Sequence, residues 1–144
     1  MSELRQRAIK LLARREHSRA ELARKLAPLG TQEEIDTVLA DLAQSGLLSD
    51  ARAAAAYVRT HAARFGTARL RQTLRQKGID SEVIAAEIAA SDAPDEMARA
   101  RAVWARKFAA APADAKEWAR QARFLQSRGF ASDVIRKLLK EPEA

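Results

Sequence analysis

The chain has 144 residues, about the size of one ordinary domain, with a formal charge of +7, a pI near 10.4 and no cysteine. Lack of cysteine excludes disulfides and thiolate zinc sites and suits a reducing compartment. The opening MSELRQRAIKLLARREHS threads Arg and Lys through its apolar positions, unlike a secretory signal, and no apolar run approaches the roughly 18 residues of a transmembrane helix, so a soluble cytoplasmic protein is expected.

Ala, Leu, Arg, Glu and Gln dominate, and proline occurs only at positions 28, 94, 112 and 142, which favours helix almost throughout. In chain order, Leu4, Ala8, Leu11 and Leu12 form the first helical stripe. Ser18 to Glu21 reads as a capping box opening a second helix, with Leu22, Leu26 and Leu29 on one face. Gly30 is expected to end it in a left-handed turn. Thr31 to Glu34 is a second capping box, followed by Ile35, Val38, Leu39 and Leu42 before Gly46. Ser49 caps the next helix, which carries Tyr57 and Val58; Leu70 and Leu74 precede Gly78, and Val83, Ile84 and Ile88 follow it. After Ala93-Pro94 come Met97, Trp104 and Phe108, a turn at Ala110 to Ala113, then Trp118, Ala122 and Leu125, Gly129, and Val134, Ile135, Leu138 and Leu139. The aromatic and aliphatic residues are assigned to the core.

Three glycine contexts repeat. Gly30, Gly78 and Gly129 each follow a Leu by four residues and precede a β-branched residue by five, at separations of 48 and 51 residues. This period predicts an all-α chain of three tandem three-helix repeats, at 1–48, 49–93 and 94–144, forming an elongated, curved nine-helix body. Such a body suits a long partner better than an enclosed small substrate.

Catalytic constellations are not evident. His17 and His61 fall in different repeats, His17 before a cap serine where a surface position is expected, and no glycine-rich phosphate loop is present. The carboxylates cluster at helix starts, where they offset the helix dipole. A non-enzymatic protein without metal or cofactor is expected.

The positive signal is the distribution of charge. No acidic residue lies between Asp50 and Asp80, a span holding Arg52, Arg59, Arg64, Arg69, Arg71, Arg75 and Lys77. Arg71 and Arg75, four apart, share a helix face. Further acid-free stretches carry Arg99, Arg101, Arg106 and Lys107, and then Arg120, Arg123 and Arg128. Compositional bias accounts for the preference for arginine, but not for where the acids are missing. The candidate partner-binding face is therefore Arg64, Arg69, Arg71, Arg75, Lys77, Arg101, Arg106, Lys107, Arg120, Arg123 and Arg128, suited to a polyanion. Helix, glycine turn and helix also suggests a helix-turn-helix, but the post-glycine helices begin TQEEID, DSEV and SDV; acid at the end that would meet phosphates argues against major-groove readout.

LLARREHSRAELARKLAPLG, SGLLSDARAAAAYVRTHAARFGTARLRQTLRQKGID and RFLQSRGFASDVI together resemble the RecX family, bacterial modulators of the RecA recombinase. The resemblance spans nearly the whole chain and is most specific over Gly66 to Ile79; Ala53 and Gln121 depart from the family pattern, which favours an aromatic and an aliphatic there. It implies a nine-helix regulator that binds RecA filaments on single-stranded DNA, inhibits strand exchange and ATP hydrolysis, and has no activity of its own. Direct DNA contact is a second route for the basic face, and a nonspecific nucleic-acid-binding helical module is the alternative reading.

Overall fold

The computed structural model describes residues 2–140, among which there are nine α-helices and no strand. They run α1 Glu3–Arg14, α2 Arg19–Leu26, α3 Gln32–Gln44, α4 Asp50–His61, α5 Thr67–Gln76, α6 Ser81–Ala90, α7 Glu96–Lys107, α8 Ala115–Ser127 and α9 Ser132–Leu139, as three trios in tandem. None is long and apolar enough to cross a membrane.

Local chemistry explains most helix starts. Both expected capping boxes form: Ser18 and Thr31 accept from the amides of Glu21 and Glu34, whose carboxylates accept from the cap amides in return. Ser49 caps α4 by accepting from the Arg52 amide, and Asp95 and Asp114 cap α7 and α8 in the same way. Helix ends are more varied. Gly46, Gly78 and Gly129 adopt positive φ, but Gly30 does not: α2 runs into a 3-10 turn at Ala27–Leu29, and Gly30 is extended at φ −167°. The left-handed turn expected there is replaced because Pro28, with its φ fixed, tightens the chain into the 3-10 turn before the glycine.

The chain forms two compact units, Met1–Tyr57 with Leu74–Ala90 and Val58–Thr73 with Ser91–Ala144, so α4 and α5 each change unit part-way. The first unit has a core of Leu4, Ala8, Leu22, Leu26, Ile35, Val38, Leu39, Leu42 and Leu48. The second has Ala100, Val103, Leu125, Phe130, Ile135 and Leu139, with Trp104, Trp118 and Phe124 packed against them. Burying each large aliphatic contributes about 1.5–3 kcal/mol against the entropy of ordering the chain.

One docking pattern occurs once in each unit. In the first, α2 meets the α5–α6 turn: the hydroxyl of its cap Ser18 donates to the Lys77 carbonyl, and Arg24 of its last turn donates to the Gln76 carbonyl at 3.1 Å. In the second, the start of α5 meets the α8–α9 turn: the Gly66 amide donates to the Arg128 carbonyl at 2.7 Å, the Ala68 amide to Gly129 at 3.2 Å, and Arg69 to Ser127 at 2.9 Å. Ser18 and Gly66 are 48 residues apart, Gly78 and Gly129 51, so the sequence period marks equivalent positions in two seams. The second seam is the tighter. A Cβ on Gly66 would strike the Gly129 and Phe130 backbone, and one on Gly129 would strike the Arg69 backbone.

Candidate functional site

Nine of the eleven candidate basic residues fall in the second unit; Arg75 and Lys77 belong to the first. Three phenylalanines bring five of the nine together. The Phe65 ring has the Arg69 guanidinium 4.2 Å and the Arg64 guanidinium 5.7 Å from its centroid. The Phe124 ring holds Lys107 at 5.6 Å and Arg128 at 5.0 Å, and the Phe108 ring holds Arg120 at 5.1 Å. Phe108 and Phe124 meet edge to face at 5.4 Å, and Arg69, through Ser127, joins the Phe65 group to the end of α8. Each contact places a cation against the electron-rich face of a ring, an attraction that grows as the pair is desolvated.

The remaining bases divide by what holds them. Arg106 donates to the Ala63 carbonyl at 3.4 Å, and Arg120 makes a two-pronged pair with Glu117. Hydrogen bonds from Arg120 and then Gln121 hold the Glu117 carboxyl at about 2. Arg71, Arg101 and Arg123 are exposed and make no hydrogen bond or ion pair with the described residues. Arg101 stands at a cleft of about 230 Å³ lined also by Trp104, Ala111, Pro112, Leu138 and Leu139. In the first unit Arg75 is exposed. Lys77 instead pairs with Glu21 at 3.1 Å and lies over the Tyr57 ring, so it secures the seam.

Some polar residues have structural work. Arg99, inside an acid-free stretch, is buried and donates to the carbonyls of Phe65 and Pro94 and to the Thr67 hydroxyl. Burial pushes its guanidinium down, against the opposing pull of Glu96 and Asp95. Gln121, at a position where an aliphatic was expected, is only 2% exposed. It accepts from the Trp104 indole at 2.8 Å and donates toward the Ala110 carbonyl and Glu117. Paired in this way, a buried amide does not incur the desolvation penalty of an orphan.

His17 corrects the surface position expected of it, being only 1% exposed. A residue before a helix cap is commonly solvated, but here the α1–α2 loop folds under Lys25. No group of three or more His, Cys, Asp or Glu among the described residues has a metal-holding arrangement.

The sequence reading missed the phenylalanine platforms, although a signal was present. Each is immediately preceded by a base: Arg64-Phe65, Lys107-Phe108 and Arg123-Phe124. Chemically, the second unit offers cations part-immobilised by stacking as well as exposed arginines without an ion pair, and the stacked ones lose less side-chain entropy on meeting a polyanion than mobile lysines would.

Three family models match in tandem: RecX, first three-helix domain, over residues 5–42; RecX, second three-helix domain, over 49–87; and RecX, third three-helix domain, over 94–139. The chain belongs to the RecX family. It is 53% identical over 143 residues to a regulatory protein RecX of Leptothrix cholodnii, covering 95% of this chain and 87% of that one. A regulatory protein RecX of Chromobacterium violaceum is 44% identical over 137 residues, covering 94% and 88%. Among solved structures, RecX from Lactobacillus salivarius superposes with a TM-score of 0.79 at 18% identity, covering 96% of this chain and 93% of that one. A second regulatory protein RecX gives 0.81 at 24%, covering 96% and 72%. At those identities the structures speak for the RecX fold.

Proposed function

We propose that the chain is a non-enzymatic cytoplasmic regulator that binds RecA filaments on single-stranded DNA and mainly inhibits RecA recombination and ATP hydrolysis. Membership of a family whose relatives are named regulatory proteins supports the regulatory role. The observation that carries the binding mode is the second unit's surface: Arg64, Arg69, Lys107, Arg120 and Arg128 fixed on Phe65, Phe108 and Phe124, with Arg71, Arg101 and Arg123 unpaired nearby in sequence. The repeats, taken as 1–48, 49–93 and 94–144, have different jobs on this reading. The first acts chiefly as scaffold, and the basic surface of the others meets the filament's acidic protein groove or its phosphates.

The second reading, a plain nucleic-acid-binding module, draws on the same surface, because cations beside rings also suit single strands. Titrations on bare and on RecA-coated single-stranded DNA separate the two. The filament reading expects tighter binding to coated DNA, with a salt slope that differs between the two substrates. Equal affinity and equal slope on both would leave only the plain binder.

A further inference from the structure

Beneath the first seam lies a pair of side chains that the regulatory reading does not use. The Arg15 carbonyl can only accept, so His17 Nδ1, 3.0 Å away, carries a proton; the Lys25 ammonium can only donate, so Nε2 on the other side of the ring must accept, which makes the ring neutral. Its Nε2 therefore presents a lone pair, and that lone pair faces the Lys25 ammonium at 2.8 Å. Lys25 itself lies on the exposed side of α2. Arg14 of α1, Arg15 of the loop and Lys77 of the α5–α6 turn add positive charge around it, opposed by the Glu21 carboxylate, which Arg15 and Lys77 hold.

We propose that Lys25 is a site of acylation by small acyl phosphates, with His17 as the proton acceptor. A lysine becomes a nucleophile when its ammonium has a ready path to lose a proton, and Nε2 of a fixed neutral imidazole supplies one. The surrounding cations suit a phosphate-bearing donor and its departing phosphate. In the step, His17 Nε2 takes one proton from the Lys25 ammonium, and the neutral Nζ attacks the acyl carbon, forming the C–N bond. The bond from carbon to the phosphate oxygen breaks, and the departing phosphate leaves with the electron pair and takes the second proton from the nitrogen of the tetrahedral adduct as hydrogen phosphate. No oxidant or reductant is involved.

The ionisation of both groups accords with this geometry. Burial pushes His17 below its ordinary value, with the Arg15 carbonyl opposing and the charges of Arg15 and Lys25 adding to it. Desolvation, followed by the repulsion of Arg15, lowers Lys25. The product is a neutral amide that removes one positive charge beside the seam.

The chain carries its own controls, since Lys10 and Lys116 are exposed and make no hydrogen bond or ion pair with the described residues. The full chain is incubated with acetyl phosphate, and the rate at each lysine is read by peptide mass spectrometry. Lys25 is expected to acylate about tenfold or more faster than Lys10 and Lys116, and to lose that lead once the pH has fallen far enough below the ordinary imidazole range for His17 to take up a proton. In His17→Gln, whose amide can still donate to Arg15 and accept from Lys25 but is not basic, the rate at Lys25 should fall to that of Lys10. Lys25 reacting within twofold of Lys10 and Lys116 in the parent chain overturns the proposal, whatever the variant does. So does a folded His17→Gln chain that acylates Lys25 as fast as the parent.

Discussion

The two seams do the same mechanical work with different chemistry. In the first unit three bases near the seam are paired with acids: Glu21 takes both Arg15 and Lys77, and Arg52 pairs with Glu16. In the second unit the seam is made by backbone on backbone, Gly66 to Arg128 and Ala68 to Gly129, and Arg69 and Arg128 are placed on rings instead of carboxylates. Because glycine permits contact without side chains, the second seam leaves its cations unneutralised. One fold position can thus serve as a closed latch in one repeat and as the support of a charged surface in another.

The largest effect should come from testing that contrast at the glycines. Gly129→Ala combines a left-handed backbone, φ +89°, with a clash against the Arg69 backbone, and should destabilise the chain by roughly 3 kcal/mol. Gly78→Ala has a similar backbone, φ +81°, but meets the Ala20 methyl, and about 2 kcal/mol is expected. Gly46→Ala, with open space around it, should cost only about 1 kcal/mol. Urea midpoints rank the three; equal shifts at positions 46 and 129 would contradict the close approach at the second seam.

A smaller effect tests the latch by pH. Burial alone would raise the Glu21 carboxyl, but hydrogen bonds from the Ser18 amide, Arg15 and Lys77 outweigh it and hold it at about 2, against 4.5 unperturbed. The unfolded chain therefore takes up the proton first, so this contribution is complete above about 4.5 and is lost as pH falls toward 2. His17, also depressed, acts in the same direction at higher pH, its contribution being complete above 6.5 and declining as pH falls below it. Thermal melts should show Glu21→Gln flattening the lower step and His17→Gln the upper one. A Glu21→Gln chain with the parent's full loss of stability between pH 4.5 and 2 would remove Glu21 from the latch.

The smallest structural effect is expected at the platform itself. Phe124→Leu keeps an apolar side chain against the third-repeat core but removes the ring under Lys107 and Arg128. A stability loss of about 1 kcal/mol should accompany weaker filament binding. Unchanged binding, measured by titration at fixed salt, would make the ring contacts structural only.

Much of this was legible in the sequence because it is local. Helical periodicity, the Ser18 and Thr31 capping boxes and the glycine spacing depend on neighbours a few residues apart, and they set helix positions directly. Gly30 misled because Pro28 changed the backbone before the glycine was reached. His17 misled because its burial depends on Lys25 and on the path of the α1–α2 loop, which no short window reveals. The acid-free stretches located the basic residues but could not separate Lys77, drawn to Glu21, from Arg71 and Arg123, which have no such partner. The pairing of seam residues lies in the 48- and 51-residue offsets, yet only the folded chain shows what those positions touch.

The most direct test of the division of labour is a pair of charge reversals matched in number and exposure. Arg71, Arg101 and Arg123 are changed to Glu in the second unit, and Arg7, Lys10 and Arg14, also exposed and unpaired among the described residues, are changed to Glu in the first. Inhibition of RecA ATP hydrolysis on single-stranded DNA is then measured for each folded variant. The second-unit triple should require at least tenfold more protein for half-inhibition, while the first-unit triple stays within about twofold of the parent. Equal losses in both, or undiminished inhibition by the second-unit triple, would contradict the account.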